Sequence, residues 1–120
     1  MKILLADDDE NFGFVLKREL EQIYSAVDLV TNGVDAVINV IKSSYNAVLL
    51  DLQMPRLNGI DALKIIKMID PSVPVITFSG KLDDSQLTES LRLGASTCFQ
   101  KPFAVEELHS IIKNQMPEIL

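Results

Sequence analysis

Close to its N-terminus the chain reads Ile3-Leu4-Leu5-Ala6-Asp7-Asp8-Asp9, an apolar run followed directly by three carboxylates. Successive apolar residues of this kind are typical of a parallel strand that is buried on both faces. Taking an ionised carboxylate out of water costs several kcal/mol unless a partner compensates it. The three acids are therefore either ordinary solvated loop residues or part of a site at the end of the strand.

A second apolar run has the same ending. Ala47-Val48-Leu49-Leu50 is followed by Asp51. Two strands that deliver carboxylates to one edge of a sheet would form a site for a hard cation. Mg²⁺ in particular prefers a few carboxylate oxygens together with water and phosphate.

Composition limits the class of protein. The chain has 120 residues, 48% of them hydrophobic and 23% charged, which predicts one globular domain. Its net charge of −6 and isoelectric point near 4.6 argue against direct binding of nucleic acid. The single cysteine excludes an internal disulfide and suits a reducing compartment. No run resembles a signal peptide or reaches membrane-spanning length, so we expect a cytoplasmic domain without membrane association.

Apolar runs alternate with amphipathic stretches along the whole chain. Strands are predicted at residues 2–6, 27–30, 47–50, 73–78 and 96–99. Asn32 and Asn58 are each followed three residues later by an acid, which indicates two helix N-caps. Gly94 is predicted to end the fourth helix, and the last helix is predicted to run from about residue 105 to 113 and to stop before Pro117.

Five repeats of strand and helix predict an α/β fold, a parallel sheet with helices on both faces. In such sheets the functional site lies outside the carboxyl ends of the strands. The side chains at those ends are Asp7, Asp8, Asp51, Ser79 and Lys101. Carboxylates can attack phosphorus or hold Mg²⁺, and a hydroxyl and an ammonium can bind phosphoryl oxygens, so the set suits phosphoryl transfer.

Four segments resemble the receiver domain of two-component response regulators. They are Ile3-Leu-Leu-Ala-Asp-Asp-Asp9, Leu49-Leu-Asp-Leu-Gln-Met-Pro55, Pro74-Val-Ile-Thr-Phe-Ser79 and Lys101-Pro102-Phe103. The resemblance covers essentially the whole chain. It implies a flavodoxin-like, doubly wound sheet of five strands in the order 2-1-3-4-5 with five helices. It also implies a signalling switch rather than an enzyme.

The resemblance implies a role for each residue of the site. Asp51 would accept a phosphoryl group from a phosphohistidine on a histidine kinase or phosphotransfer protein. Mg²⁺ would be held by Asp8, by Asp51, by the backbone carbonyl of Gln53, and by Asp7 through a water molecule. Ser79 and Lys101 would contact the phosphoryl group. Asp9 would lie outside the metal shell, as an acid at a helix N-terminus.

The chain departs from the family pattern at three places. Cys98 stands where the family has an aromatic residue, three positions before Lys101, and Phe99 follows it. Gly80 and Lys81 follow the strand-four hydroxyl, where alanine is common at the first position. Ala104 replaces the usual capping residue of the last helix, a loss of about 1 kcal/mol.

Phe12 and Phe14 open the first helix two residues apart, so they cannot both face the core. We expect Phe14 to be exposed near the acidic site. It is then either a singly exposed aromatic ring or a docking contact for the phosphodonor.

Two alternatives belong to other classes. A small phosphohydrolase of the dehalogenase type would need an Asp-x-Asp pair after the first strand and usually a cap domain. A flavin-binding electron carrier would need a hydroxyl- and glycine-rich phosphate loop where this chain has Asp7-Asp8-Asp9. We expect residues 1–120 to form a single receiver domain, either stand-alone or the N-terminal part of a longer regulator with an effector domain.

Overall fold

A computed structural model describes residues 1–115, in which strands and helices alternate. The strands are Lys2–Ala6 (β1), Ala26–Val30 (β2), Ala47–Asp51 (β3), Val75–Ser79 (β4) and Thr97–Gln100 (β5). The helices are Glu10–Glu21 (α1), Gly33–Lys42 (α2), Gly59–Ile69 (α3), Asp84–Arg92 (α4) and Val105–Gln115 (α5). The predicted stop at Pro117 lies outside the described residues.

The strands form one parallel sheet in the order β2-β1-β3-β4-β5, which confirms the predicted order 2-1-3-4-5 and the α/β class. The clearest difference from the predicted boundaries is in β4, which begins at Val75 rather than at residue 73. Pro74 explains the later start of β4, because proline has no backbone N–H to donate to the hydrogen-bond ladder of the sheet. Its carbonyl still accepts a hydrogen bond from Val48 at 2.9 Å.

Both faces of the sheet are covered, so β1 and β3 are almost entirely buried. Alternate residues of a strand point to opposite faces. Ile3 and Leu5 of β1 pack with α1 and α5, whereas Leu4 and Ala6 pack with α2 and α3. Helix α4 lies on the second face, where its buried Ser90 is hydrogen-bonded to Thr77 of β4 at 2.6 Å.

Four of the helices begin with an N-cap residue whose side chain accepts a hydrogen bond from the first turn. Asn32 and Asn58 accept hydrogen bonds from the N–H groups of Asp35 and Asp61, as their spacing predicts. Asp9 caps α1, and Asp83 caps α4 within a capping box.

Gly94 follows α4 with φ of +108°, a left-handed conformation that glycine adopts readily. This position fits the predicted end of the fourth helix. Within residues 1–115, no helix combines the length and apolarity needed to cross a bilayer.

Candidate functional site

Three aspartates meet at the carboxyl edge of the sheet. Asp7 and Asp8 follow β1, Asp51 ends β3, and one carboxylate oxygen of each lies within 4.8 Å of the others. Asp7 and Asp51 are buried, whereas Asp8 is exposed and opens onto a cleft that Gln53 also lines. The sheet order explains this meeting, because β1 and β3 are neighbours in register.

Each oxygen of the buried Asp7 carboxylate has one partner. Its Oδ1 accepts a hydrogen bond from the N–H of Asp9 at 2.8 Å. Its Oδ2 lies 2.9 Å from Lys101 Nζ, an ammonium that is shared with Asp51. A buried carboxylate that shares its counter-charge with a second carboxylate suits a cation as an additional partner.

Lys101 lies between the two buried carboxylates. Its Nζ is 2.9 Å from Oδ2 of Asp7 and 2.9 Å from Oδ2 of Asp51. The rings of Phe12 and Phe78 lie 4.5 Å and 5.4 Å from the same ammonium, within the range of a cation–π contact. The peptide bond from Lys101 to Pro102 is cis.

The electrostatics of Asp7 and Lys101 are opposed and coupled. Burial raises the pKa of Asp7 to about 6, and the neighbouring charge of Asp51 acts in the same direction, although Lys101 and the N–H of Asp9 oppose the rise. Burial alone would lower the pKa of Lys101, but its contacts with Asp7 and Asp51 outweigh this effect and raise it. The three carboxylates therefore carry more negative charge than one ammonium compensates.

The loop after β3 holds Asp51 in place. Asp51 Oδ1 accepts a hydrogen bond from the N–H of Gln53 at 2.9 Å. Gly59 begins α3 so close to β3 that a Cβ there would overlap the carbonyl oxygen of Asp51. Between them, Arg56 has φ of +68° and Leu57 donates to the carbonyl of Pro55 at 2.8 Å, which makes a strained γ-turn. The carbonyl of Gln53 as a metal ligand remains a prediction.

Ser79 is buried at the end of β4, and its hydroxyl is hydrogen-bonded to the following loop and to α4. Its Oγ accepts a hydrogen bond from the N–H of Lys81 at 3.2 Å and donates to Oε1 of Gln86 at 3.4 Å. The structure therefore brings Asp7, Asp8, Asp51 and Lys101 together and leaves the Ser79 hydroxyl turned towards α4.

Three side chains near the site were not predicted from the sequence. Phe12, and not Phe14, is the α1 ring beside Lys101; Phe14 is 56% exposed, as expected, but lies over Arg18. The helix turns by about 200° in two residues, so only one ring can reach the site. Gln86 and Gln100 contact the loop after Ser79, and no sequence pattern marks either of them.

The donor set fits a magnesium ion. Its ligands would be hard carboxylate oxygens, one of them exposed to solvent, which suits a cation that retains several waters. Asp7 and Asp51 share a single ammonium, and Asp8 adds a third carboxylate, so the cluster has excess negative charge that a cation would relieve.

Comparison with known proteins gives the same family. A family model described as the response regulator receiver domain matches residues 3–113. Sporulation initiation phosphotransferase F of Bacillus subtilis is 36% identical over 118 residues, which cover 97% of this chain and 94% of that protein. A CpxR homolog of Haemophilus influenzae, a transcriptional regulatory protein, is 39% identical over 112 residues, which cover 93% of this chain and 48% of that protein.

Among solved structures, the chain is similar to the receiver domain of the sensor histidine kinase PA1611 from Pseudomonas aeruginosa. The TM-score is 0.87 with 27% identity, and the match covers 97% of each chain. That structure has a magnesium ion coordinated in its active-site cleft.

The chain spans half or less of the length of several curated relatives that it matches. The family match nevertheless covers nearly all of this chain, and the sheet order agrees with it. The chain belongs to the receiver-domain family of two-component response regulators.

Proposed function

We propose that Asp51 is the phosphoacceptor of this receiver domain and that it takes its phosphoryl group from a phosphohistidine on a histidine kinase or phosphotransfer protein. The observation that carries the proposal is the position of Asp51. β3 is the central strand of the sheet, so Asp51 lies at the middle of the carboxyl edge, where it contacts Lys101 and is within reach of both other acids.

In the proposed reaction, a carboxylate oxygen of Asp51 attacks phosphorus and the P–N bond to the donor histidine breaks. The imidazole ring carries or takes up one proton as the P–N bond breaks, so the products are an aspartyl phosphate and a neutral imidazole. Lys101 stays beside the acceptor and pairs with the phosphoryl oxygens, and Ser79 donates a hydrogen bond to one of them. The N–H of Gln53 keeps the carboxylate oriented for attack.

Mg²⁺ is the cation that we propose for the acid cluster. Asp8 and Asp51 would bind it directly, Asp7 through water, and Gln53 through its carbonyl oxygen. When bound, the ion would neutralise charge on the attacking carboxylate and on the phosphoryl oxygens.

We further propose that the domain acts as a cytoplasmic switch and not as an enzyme with turnover of its own. Its catalysis would be limited to transfer from the donor and slow loss of the phosphoryl group. Residues 1–120 would form one receiver domain, which acts either through a protein target or through an effector domain of a longer regulator. We propose no direct binding to nucleic acid or membrane, in keeping with the net charge of −6.

Intact-mass spectrometry after incubation with acetyl phosphate and Mg²⁺ tests the acceptor. We expect one phosphoryl adduct on the wild-type chain, little adduct in EDTA, and none on Asp51→Asn. The adduct should be stable to neither acid nor alkali, as expected of an acyl phosphate. A normal adduct on Asp51→Asn would place the acceptor elsewhere.

A further inference from the structure

Gln100 makes a set of hydrogen bonds that the reaction itself does not require. Its Oε1 accepts from the N–H of Leu82 at 2.9 Å. Its Nε2 donates to the carbonyl of Gly80 at 2.7 Å and to the carbonyl of Lys101 at 3.1 Å. One amide thus joins the loop between β4 and α4, residues 80–83, to the end of β5.

The position of Gln100 relates it to both groups that would contact the phosphoryl oxygens. Gln100 directly precedes Lys101 and lies opposite Ser79 in the register of β4 and β5. Its two loop contacts, at Gly80 and Leu82, lie on either side of Lys81. Gln100 is itself exposed, so its amide is not needed to satisfy a buried core.

Lys81 is the loop residue that contacts the Ser79 hydroxyl. That hydroxyl has one proton, which is directed at Gln86, and it accepts the N–H of Lys81. To donate to a phosphoryl oxygen, the hydroxyl must give up its contact with Gln86. If Oγ also turns about the Cα–Cβ bond towards Asp51, the Lys81 N–H loses its acceptor, and the Gly80–Lys81 peptide would be free to take a new orientation.

The loop has room for this movement. A Cβ added at Gly80 would meet no atom within 4 Å. Packing therefore does not hold the backbone at Gly80 in place, whereas the Gln100 amide holds the loop on both sides of Lys81.

We propose that Gln100 is a positioning residue that clamps the loop in its unphosphorylated conformation and so sets how much phosphoryl occupancy is needed to switch the domain. The inference rests on the proposed phosphoacceptor function. Contacts made in one conformation only bias the equilibrium against the other, so loss of the clamp should strengthen binding of any ligand that selects the switched state.

Titration with beryllofluoride, a phosphoryl mimic, in saturating Mg²⁺ tests the clamp. Gln100→Met keeps the length of the side chain and removes its hydrogen bonds. We expect its apparent Kd for beryllofluoride to fall roughly 3- to 10-fold, the effect of losing one or two neutral hydrogen bonds at an exposed site. Gln22→Met, the same change at an exposed position after α1, should leave the Kd unchanged.

Hydrogen exchange provides the second measurement. The Leu82 amide should exchange faster in unphosphorylated Gln100→Met than in wild type, while amides of β1 and β3 should not change. A lower melting temperature with an unchanged or weaker affinity would make Gln100 merely structural and overturn the clamp. Wild-type protein that binds no beryllofluoride would overturn the proposed function and the clamp together. If wild type binds beryllofluoride and Asp51→Asn does not, the proposed function stands. An unchanged affinity of Gln100→Met then counts against the clamp alone.

Discussion

At the scale of single residues, the burial of Asp7 links its ionisation to the stability of the fold. Its pKa is about 6 in the folded chain against an ordinary value of 3.8. Between these values the folded state binds more protons than the unfolded state. The free energy of unfolding therefore falls as pH rises through that window. The difference corresponds to roughly 3 kcal/mol by pH 7.

We predict that, in EDTA, the Asp7→Asn variant does not show this fall in the free energy of unfolding with rising pH. Urea unfolding at pH 4 and pH 7 should show the variant gaining about 2–3 kcal/mol relative to wild type as pH rises, because its side chain cannot ionise. Saturating Mg²⁺ should flatten the wild-type profile, since a bound cation favours the ionised form. Parallel profiles for the two proteins in EDTA would contradict the burial cost assigned to Asp7.

Asp8 and Asp9 form a matched pair for testing the metal site. Mg²⁺ that binds only the folded state should stabilise the wild type by roughly 2.7 kcal/mol at one hundred times its Kd. Asp8→Asn should lose most of that gain. Asp9→Asn should keep it, because asparagine caps a helix as well as aspartate does and Asp9 serves α1 as its cap. Equal Mg²⁺ responses from both variants in thermal melts would remove Asp8 from the site.

The sequence predicted the acidic cluster because carboxyl ends of parallel strands meet at one edge whatever the details of packing. It did not predict which phenylalanine lies beside Lys101. That choice depends on the rotation of α1, which the cap at Asp9 sets only once the helix is formed. Gln100 was missed because its partners are 18 and 20 residues away and depend on the register of β4 with β5.

At the scale of elements, α5 is the helix whose beginning lacks a side-chain cap. The carbonyl of Ala104 accepts from the N–H groups of Glu107 and Leu108 at 3.1 Å and 3.4 Å, so Ala104 occupies the N-cap position. Its methyl group cannot accept a hydrogen bond from the N–H groups of the first turn. The predicted missing cap is thus visible in the backbone pattern.

We predict that Ala104→Ser stabilises the domain by about 1 kcal/mol by supplying that acceptor. Chemical denaturation in the same buffer measures the gain. Ala104→Val is the control, since valine has no oxygen and is a poor N-cap. Equal stability of the serine and valine variants would mean that water already satisfies the first turn.

Cys98 and Phe99 of strand β5 are neighbours in sequence but lie on opposite faces of the sheet. Cys98 is paired with Thr77 and faces α4, whereas Phe99 faces α5 and stacks on Phe103 with ring centroids 5.2 Å apart. For Phe99 to take the place of the family's aromatic residue, β5 would have to slip by one residue, which would reverse every side chain of the strand.

At the scale of the whole molecule, we predict that the response to phosphorylation is concentrated in one region. Amide chemical shifts measured with and without beryllofluoride should change most at residues 79–84 and weakly around Cys98. A thiol is too small to exchange between a surface and a buried position as a large ring does. A large reorientation of Phe99 with a quiet loop would contradict this prediction.

The fold as a whole was more predictable than the switch. Apolar runs, caps and the glycine after α4 depend on local chemistry, so they predict the element order, and the predicted boundaries differ from those of the structure by at most two residues, as at the start of β4 and the end of α5. The hydroxyl of Ser79 is hydrogen-bonded to Gln86, and its contact with a phosphoryl group remains a prediction. Which rotamer a single hydroxyl takes depends on contacts among α4, its cap and the loop, and sequence spacing does not encode them.

The buried thiol of Cys98 provides a way to measure local opening between α4 and β5. Burial raises its pKa, against the weaker opposing effect of Thr77 and Ser90, and the side chain is only 9% exposed. Alkylating reagents attack the thiolate, so they should modify this single cysteine only when α4 separates from β5. The rate of labelling, compared with that of a free thiol, then measures the equilibrium for that separation without any engineered label.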